Sequence, residues 1–410
     1  MSKLRAFLKD TRGNFAAITA VAMIPLLAGV ALVVDYSDAV REAAELQDSL
    51  DSALVEIAVK APTGYSKDQL ETMGRDYFVS NFGIDPAQAA NLFYLGVETG
   101  SKGSLVFTAR ATATHASLFN EKFDLDLQRW SQVERSGGDA ACVLALNGTA
   151  SRAIEMTGNT TVDLDGCILA ANSTASNSIN RSGNAKVTAE CAQTVGQTSG
   201  LSGNGSSLDC GSPRENSFKT FDPLSGVVAP STSGGKSIKT TKVSGQDTLS
   251  PGVYNSNTWT LNNKDDVVLT AGTYVFDGTA IKVNANATLK GAGVTIFLMN
   301  GATFTSNGQA VIDLSAPTAG TYKGILLYVD PDESVTLKIN GGSTSKLQGY
   351  LYNPGGSIEY AGNGSVSAPE CVRVVADTVT LTGTSVFKSS CDSELGGLDT
   401  YTIANIRFVR

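Results

Sequence analysis

Leu249-Ser250-Pro251-Gly252-Val253-Tyr254 returns 20 residues later as Leu269-Thr270-Ala271-Gly272-Thr273-Tyr274. A hexapeptide that recurs with its glycine and tyrosine in step marks a structural unit that stacks on its neighbours. Similar punctuation extends to both sides. Asn340-Gly341-Gly342, Ala361-Gly362-Asn363 and Leu381-Thr382-Gly383 space their glycines by 21 and 21 residues, and Thr157-Gly158-Asn159, Ser182-Gly183-Asn184 and Ser202-Gly203-Asn204 recur at 25 and 20. Glycine and asparagine tolerate the left-handed backbone of tight turns. Between these turns lie short alternating runs: Thr161–Leu164, Ala185–Thr188, Ala287–Lys290, Val294–Leu298, Val335–Ile339 and Thr378–Leu381.

A period of 20 to 25 residues with three short strands per repeat is what a right-handed parallel β-helix requires. One coil cannot bury its inward stripe alone, so many must stack. The alternative, a β-sandwich, has less regular repeats. The predicted β-helix occupies 140–396, followed by a tail over 397–410. Gly211–Gly245 breaks the period and is expected to be a long surface loop or an insertion between two stacks.

All six cysteines lie in this part, at 142, 167, 191, 210, 371 and 391. Stacked coils lie about 4.8 Å apart, within reach of a disulfide. Spacings close to one coil favour Cys142–Cys167, Cys191–Cys210 and Cys371–Cys391. Six cysteines allow 15 pairings. Zinc is the alternative, but no C-x-x-C occurs.

The amino-terminal part is different. Phe15 to Val34 carries no charge and is long enough to span a bilayer core of about 30 Å as a helix. Lys3, Arg5, Lys9 and Arg12 precede it, and Asp35, Asp38 and Glu42 follow. The excess of basic residues predicts a cytoplasmic amino terminus with the rest of the chain across the membrane. Pro25, mid-span, should kink the helix. A cleaved signal peptide is the alternative, but it would have a shorter apolar region and a small-residue cleavage site. The helix continues through Tyr36, Ala39, Ala43, Leu46, Leu50, Leu54 and Ile57, whose spacings of 3 and 4 put them on one face. That stripe packs either on the chain's own next domain or on equivalent helices of partner subunits.

Residues 61–139 read as a small α+β collar. Ser66-Lys67-Asp68-Gln69 has the form of a capping box opening a helix to about Phe78. Leu92–Val97 and Ser104–Ala116 read as strands, the second placing Leu105, Phe107, Ala109, Ala111 and Ala113 on its buried side. Phe123, Leu125 and Leu127 alternate again. His115, the only histidine, is expected at the surface or rim.

Arg12-Gly13-Asn14-Phe15-Ala16, the span containing Ile24-Pro25-Leu26-Leu27, the exit Val34-Asp35-Tyr36 and the run Leu46-Gln47-Asp48-Ser49-Leu50-Asp51-Ser52-Ala53 resemble the amino-terminal region of TadE/TadG-like proteins, over roughly residues 8–60. These serve the assembly of bacterial Flp (tight-adherence) pili. The resemblance implies a single-pass protein of the inner membrane whose partners are the lipid bilayer and other pilus-assembly proteins. Family members processed as pilins carry Glu five residues after the cleaved glycine. Ile18 stands there in this chain, which implies a permanent anchor of the TadG kind. Many TadG-like proteins also carry a von Willebrand A domain, with a metal-binding D-x-S-x-S after an apolar strand. Here Cys142-Val143-Leu144-Ala145-Leu146 is followed by Asn147-Gly148-Thr149-Ala150-Ser151, so Asn147 replaces the ligand, and a β-helix takes that domain's place.

Candidate chemistry is sparse. The net charge of −8 argues against a nucleic-acid partner. A single histidine argues against histidine-based metal or triad chemistry, and no cofactor is expected. Alternation in Val162-Asp163-Leu164-Asp165 points both carboxylates outward. Asp330 and Asp332 form a second acidic cluster, with Pro331 and Glu333, in a loop. Either pair would serve a Ca2+ site or a pectinase-like enzyme, or is simply solvated. The leading expectation is a non-catalytic periplasmic scaffold of Flp-pilus assembly. A tethered polysaccharide hydrolase or lyase and a surface adhesin are the alternatives.

Overall fold

The computed structural model describes residues 14–60, 67–84, 93–99, 105–117, 124–136, 141–233, 246–341, 345–362, 371–390 and 405–409. The basic flank (Lys3, Arg5, Lys9 and Arg12), Ser66, Phe123 and Cys391 lie outside them. The chain opens with α1 (Asn14–Lys60), 47 residues long with Pro25 inside it. Its first half has the length and apolarity of a membrane span. Ile18, Val21, Ile24, Leu26, Leu27, Val30 and Val33 are each more than 60% exposed. A helix apolar on all sides and uncovered by protein has no favourable place in water.

The second half of α1 is amphipathic. Ala39, Ala43, Leu46, Leu50, Leu54 and Ile57 are buried. They pack on α2 (Lys67–Phe82) and on the inner face of an antiparallel sheet. Tyr36, placed on the same stripe by its spacing, is 69% exposed instead, because the sheet does not cover that side of the helix so close to the apolar span. The sheet consists of β1 (Phe93–Thr99), β2 (Leu105–His115), β3 (Leu125–Ser136) and a carboxy-terminal strand, Asn405–Phe408. The last pairs with β3, Arg407 opposite Glu134, so the predicted tail includes the collar's fourth strand.

The rest is a parallel β-solenoid of about nine turns. Its order in space is not its order in sequence. The first three turns, at 141–165, 168–189 and 191–208, stack consecutively. The chain then leaves this end and resumes at the other, where turns beginning at Gly252, Gly272, Val294, Ile325 and Gly349 stack in sequence. The final turn, 372–390, lies on the first, pairing Val375 with Leu144, Val379 with Ile154 and Phe387 with Val162. There is one stack, entered in its middle. Of the period-breaking segment, expected as a loop or an insertion between two stacks, the described part, 211–233, runs back along the one stack.

The two glycine series form one column in consequence. Gly341, Gly362 and Gly383 lie opposite one another. Asn159 N donates to Gly383 O at 2.8 Å, and Asn184 N to Gly158 O at 2.9 Å. An outward ladder crosses the joint in the same way: Val253, Val275, Phe297, Tyr328, Tyr352, Val375, Leu144, Ala170 and Gln193, one per turn.

Residues 211–233 run along this ladder as a strap. Asn172 and Thr220 exchange two hydrogen bonds, of 2.7 and 2.9 Å. Tyr352 OH donates to Asp222 Oδ2 at 2.8 Å, and Tyr328 OH to Val227 O at 3.2 Å. Leu224 is buried against the ladder's aromatic rungs. Tyr328 and Tyr352 stack at 4.8 Å. Without the strap this sheet would expose a continuous apolar stripe. Burial pushes the Asp222 carboxyl up. Burial, with Asp330 and Asp222 nearby, pushes the Tyr328 hydroxyl up to about 12.

Candidate functional site

The most unusual polar arrangement lies where α1 emerges from its apolar half. In β2 the residues Phe107, Ala109, Ala111, Ala113 and His115 alternate toward the helix, and all five are buried. Asp35 and Glu42 are seven residues apart, two turns of α1, and so share the face that meets the end of β2. His115 Nδ1 lies 2.7 Å from Glu42 Oε2, and Nε2 lies 3.6 Å from Asp35 Oδ1. Ser117 Oγ donates to Asp35 Oδ2 at 2.9 Å. The histidine side chain is 9% exposed. Its hydrogen bond to Glu42 raises its pKa above the usual value; burial opposes this, and the charges of Glu42 and Asp35 add to it. The only histidine of the chain is thus a buried latch between collar and helix, not the rim residue expected from the sequence. The signal was there: His115 continues the inward parity of Phe107 to Ala113.

The acidic candidates stay apart. Asp163 and Asp165 project outward from the strand Thr161–Asp165, whose Val162 and Leu164 are buried. Asp163 Oδ2 lies 3.3 Å from Lys388 Nζ, across the joint between last and first turns. Asp330 and Asp332 lie after the strand Ile325–Val329, three turns away, about 14 Å along the stack. Asp330 Oδ1 accepts from Asp332 N at 3.1 Å, so that carboxylate closes its own turn. No group of three or more metal-ligating side chains occurs among the described residues. Asn147, at the place of the von Willebrand A aspartate, also closes a turn: Oδ1 accepts from Thr149 N and Ala150 N, and Nδ2 donates to the Asp377 carboxylate.

The cysteines act structurally. Cys142 is bonded to Cys167, tying the first turn to the start of the second, and Cys191 to Cys210, tying the third turn to the segment that leads into the strap. Cys371 is disulfide-bonded as well; its expected partner Cys391 lies outside the described residues.

Residues 13–55 match the TadE/G-like Flp pilus-assembly family (Tad). The match covers α1 from the apolar span to the stripe that carries the collar, including both carboxylates that hold His115, and none of the solenoid. No curated protein and no solved structure matches the chain.

Proposed function

We propose that this protein is a non-catalytic scaffold of Flp-pilus assembly. It is anchored in the inner membrane by α1, and its collar and solenoid stand in the periplasm. The observation that carries the reading is the family match over 13–55, which coincides with a helix that is uncovered in its apolar half and tied to the collar in the other. The solenoid supports the same reading. Some of its outward acids sit in ion pairs, Lys388–Asp163 and Lys338–Glu359 among them, one outer face lies under the strap, and the first two turns are cross-linked. These are features of a rigid spacer. The partners are the bilayer and other pilus-assembly proteins.

Deleting the gene should reduce piliation and surface attachment. A copy with Asp163→Ala and Asp165→Ala should restore both to wild-type level. A double variant that behaves like the deletion, or purified protein that degrades acidic polysaccharide, would replace the scaffold with an enzyme. Orientation is tested separately. Protease added to spheroplasts should digest the chain beyond residue 60 and leave a small membrane-protected fragment; digestion only after lysis would reverse the topology.

A further inference from the structure

The face of the collar sheet opposite α1 carries a row of three side chains at one level. Tyr94 of β1 lies opposite Arg110 of β2, and Arg110 opposite Trp130 of β3. Paired positions on adjacent strands share a face. All three are exposed, Tyr94 by 59% and Trp130 by 56%. No ion pair or hydrogen bond engages Arg110 among the described residues, whereas Glu134 at the sheet's far end is neutralised by Arg407 at 2.6 Å. The levels on either side are polar and uncharged: Gln132, which donates to Thr108 Oγ1 at 3.0 Å, and Gln128.

Two aromatic rings two strand spacings apart, about 10 Å, with an unpaired guanidinium between them and amides around them, match one chemistry. We propose that the Tyr94–Arg110–Trp130 row binds an extended glycan that carries carboxylates. Tyrosine and tryptophan present flat apolar faces with a polar edge, suited to the C–H faces of successive sugars. Glutamine and threonine supply donors and acceptors for hydroxyls. Arginine takes a planar carboxylate in bidentate fashion. A protein partner would bury these hot-spot residue types in an apolar surround, and the neighbours here are glutamine and threonine. The row also stands away from the end of the apolar span. Gln47 Nε2 donates to Trp130 O, which sets the row about 18 Å along α1 from Asp35.

The chain has two tryptophans, and Trp259 is buried inside the solenoid at 2% exposure, so acrylamide quenching of fluorescence reports on Trp130. The full-length protein in detergent micelles is titrated with oligogalacturonate and with a cello-oligosaccharide of equal length. Oligogalacturonate should shield Trp130 and bind more tightly than the neutral sugar. Tyr94→Ala, by the same readout, and Trp130→Ala, alone or combined with Tyr94→Ala and read by titration calorimetry, should weaken binding about tenfold. Arg110→Gln should abolish the preference for the acidic sugar. The Trp259 emission and circular dichroism show that each variant is folded. No shielding by either sugar, or undiminished affinity in a folded Tyr94→Ala/Trp130→Ala variant, overturns the proposal. So does sugar-free shielding that grows with protein concentration or appears with lipid vesicles alone, which would give the row to a second copy or to the bilayer.

Discussion

His115 Nδ1 lies 2.7 Å from Glu42 Oε2, joining the last residue of a collar strand to the helix that carries the apolar span. With Asp35 at the other ring nitrogen, the imidazole ring bridges two carboxylates on one helical face. Hydrogen bonding to charged groups at a site so little exposed is stronger than between neutral partners.

The latch makes stability depend on pH in a defined direction. The folded-state pKa of His115 is raised by Glu42, and secondarily by Asp35. A raised histidine stabilises fully below its unfolded value, near 6.5, and loses that contribution as pH rises through the folded value. The melting temperature of the full-length protein in detergent should therefore fall from pH 6 to pH 9. His115→Gln should flatten this slope and lower stability by about 1–3 kcal/mol at pH 6. Equal slopes for wild type and variant would remove the latch from the explanation.

Gly158 tests the joint between the last and first turns. Its φ is +77°, and a Cβ there would stand 2.8 Å from Gly383 O, a backbone atom of the last turn. Gly203 has a φ of +95° with no atom near enough to meet a Cβ. Both alanine variants carry left-handed strain, about 1–2 kcal/mol. Only Gly158→Ala also forces two turns apart. Denaturant unfolding should place Gly158→Ala clearly below Gly203→Ala. Equal losses would mean that the two turns do not approach so closely.

Disulfide mapping tests the cross-links. Non-reducing peptide analysis should recover Cys142–Cys167, Cys191–Cys210 and a Cys371–Cys391 link, with no free thiol. Replacing Cys142 and Cys167 together by serine should cost about 2–4 kcal/mol. A reduced Cys371 in full-length protein purified without reductant would contradict the third pairing.

Much of this architecture was legible because it is periodic. Glycine spacing and the Tyr254/Tyr274 repeat mark the coils, and the apolar spacing from Ala39 to Ile57 marks the helical stripe. What could not be read is pairing between distant parts of the chain. Val375 and Leu144 are neighbours through register alone, and the glycine repeats before and after the strap look alike whether they form two stacks or one. A weak sign lay in the strap itself. Leu224, Val227 and Ala229 are apolar and pack against the solenoid, which a free surface loop would not require. His115 was missed for a related reason. Its strand parity was evident, but its partners are on another element, and two carboxylates two helical turns apart acquire meaning only when something faces them.

A solenoid entered in its middle has a consequence for synthesis. A chain that emerges amino terminus first completes the three turns over 141–208 before any of the others exist. Their lower rim, Val143 to Ala145, then stands as a bare parallel edge until residues 374–376 arrive. Open strand edges invite pairing with foreign chains, and contacts this remote in sequence form slowly. Synthesis therefore passes through an intermediate with an open strand edge, which closes only when residues 372–390 pair with the first turn. The carboxy-terminal strand that then joins β3 makes completion of the collar the final step.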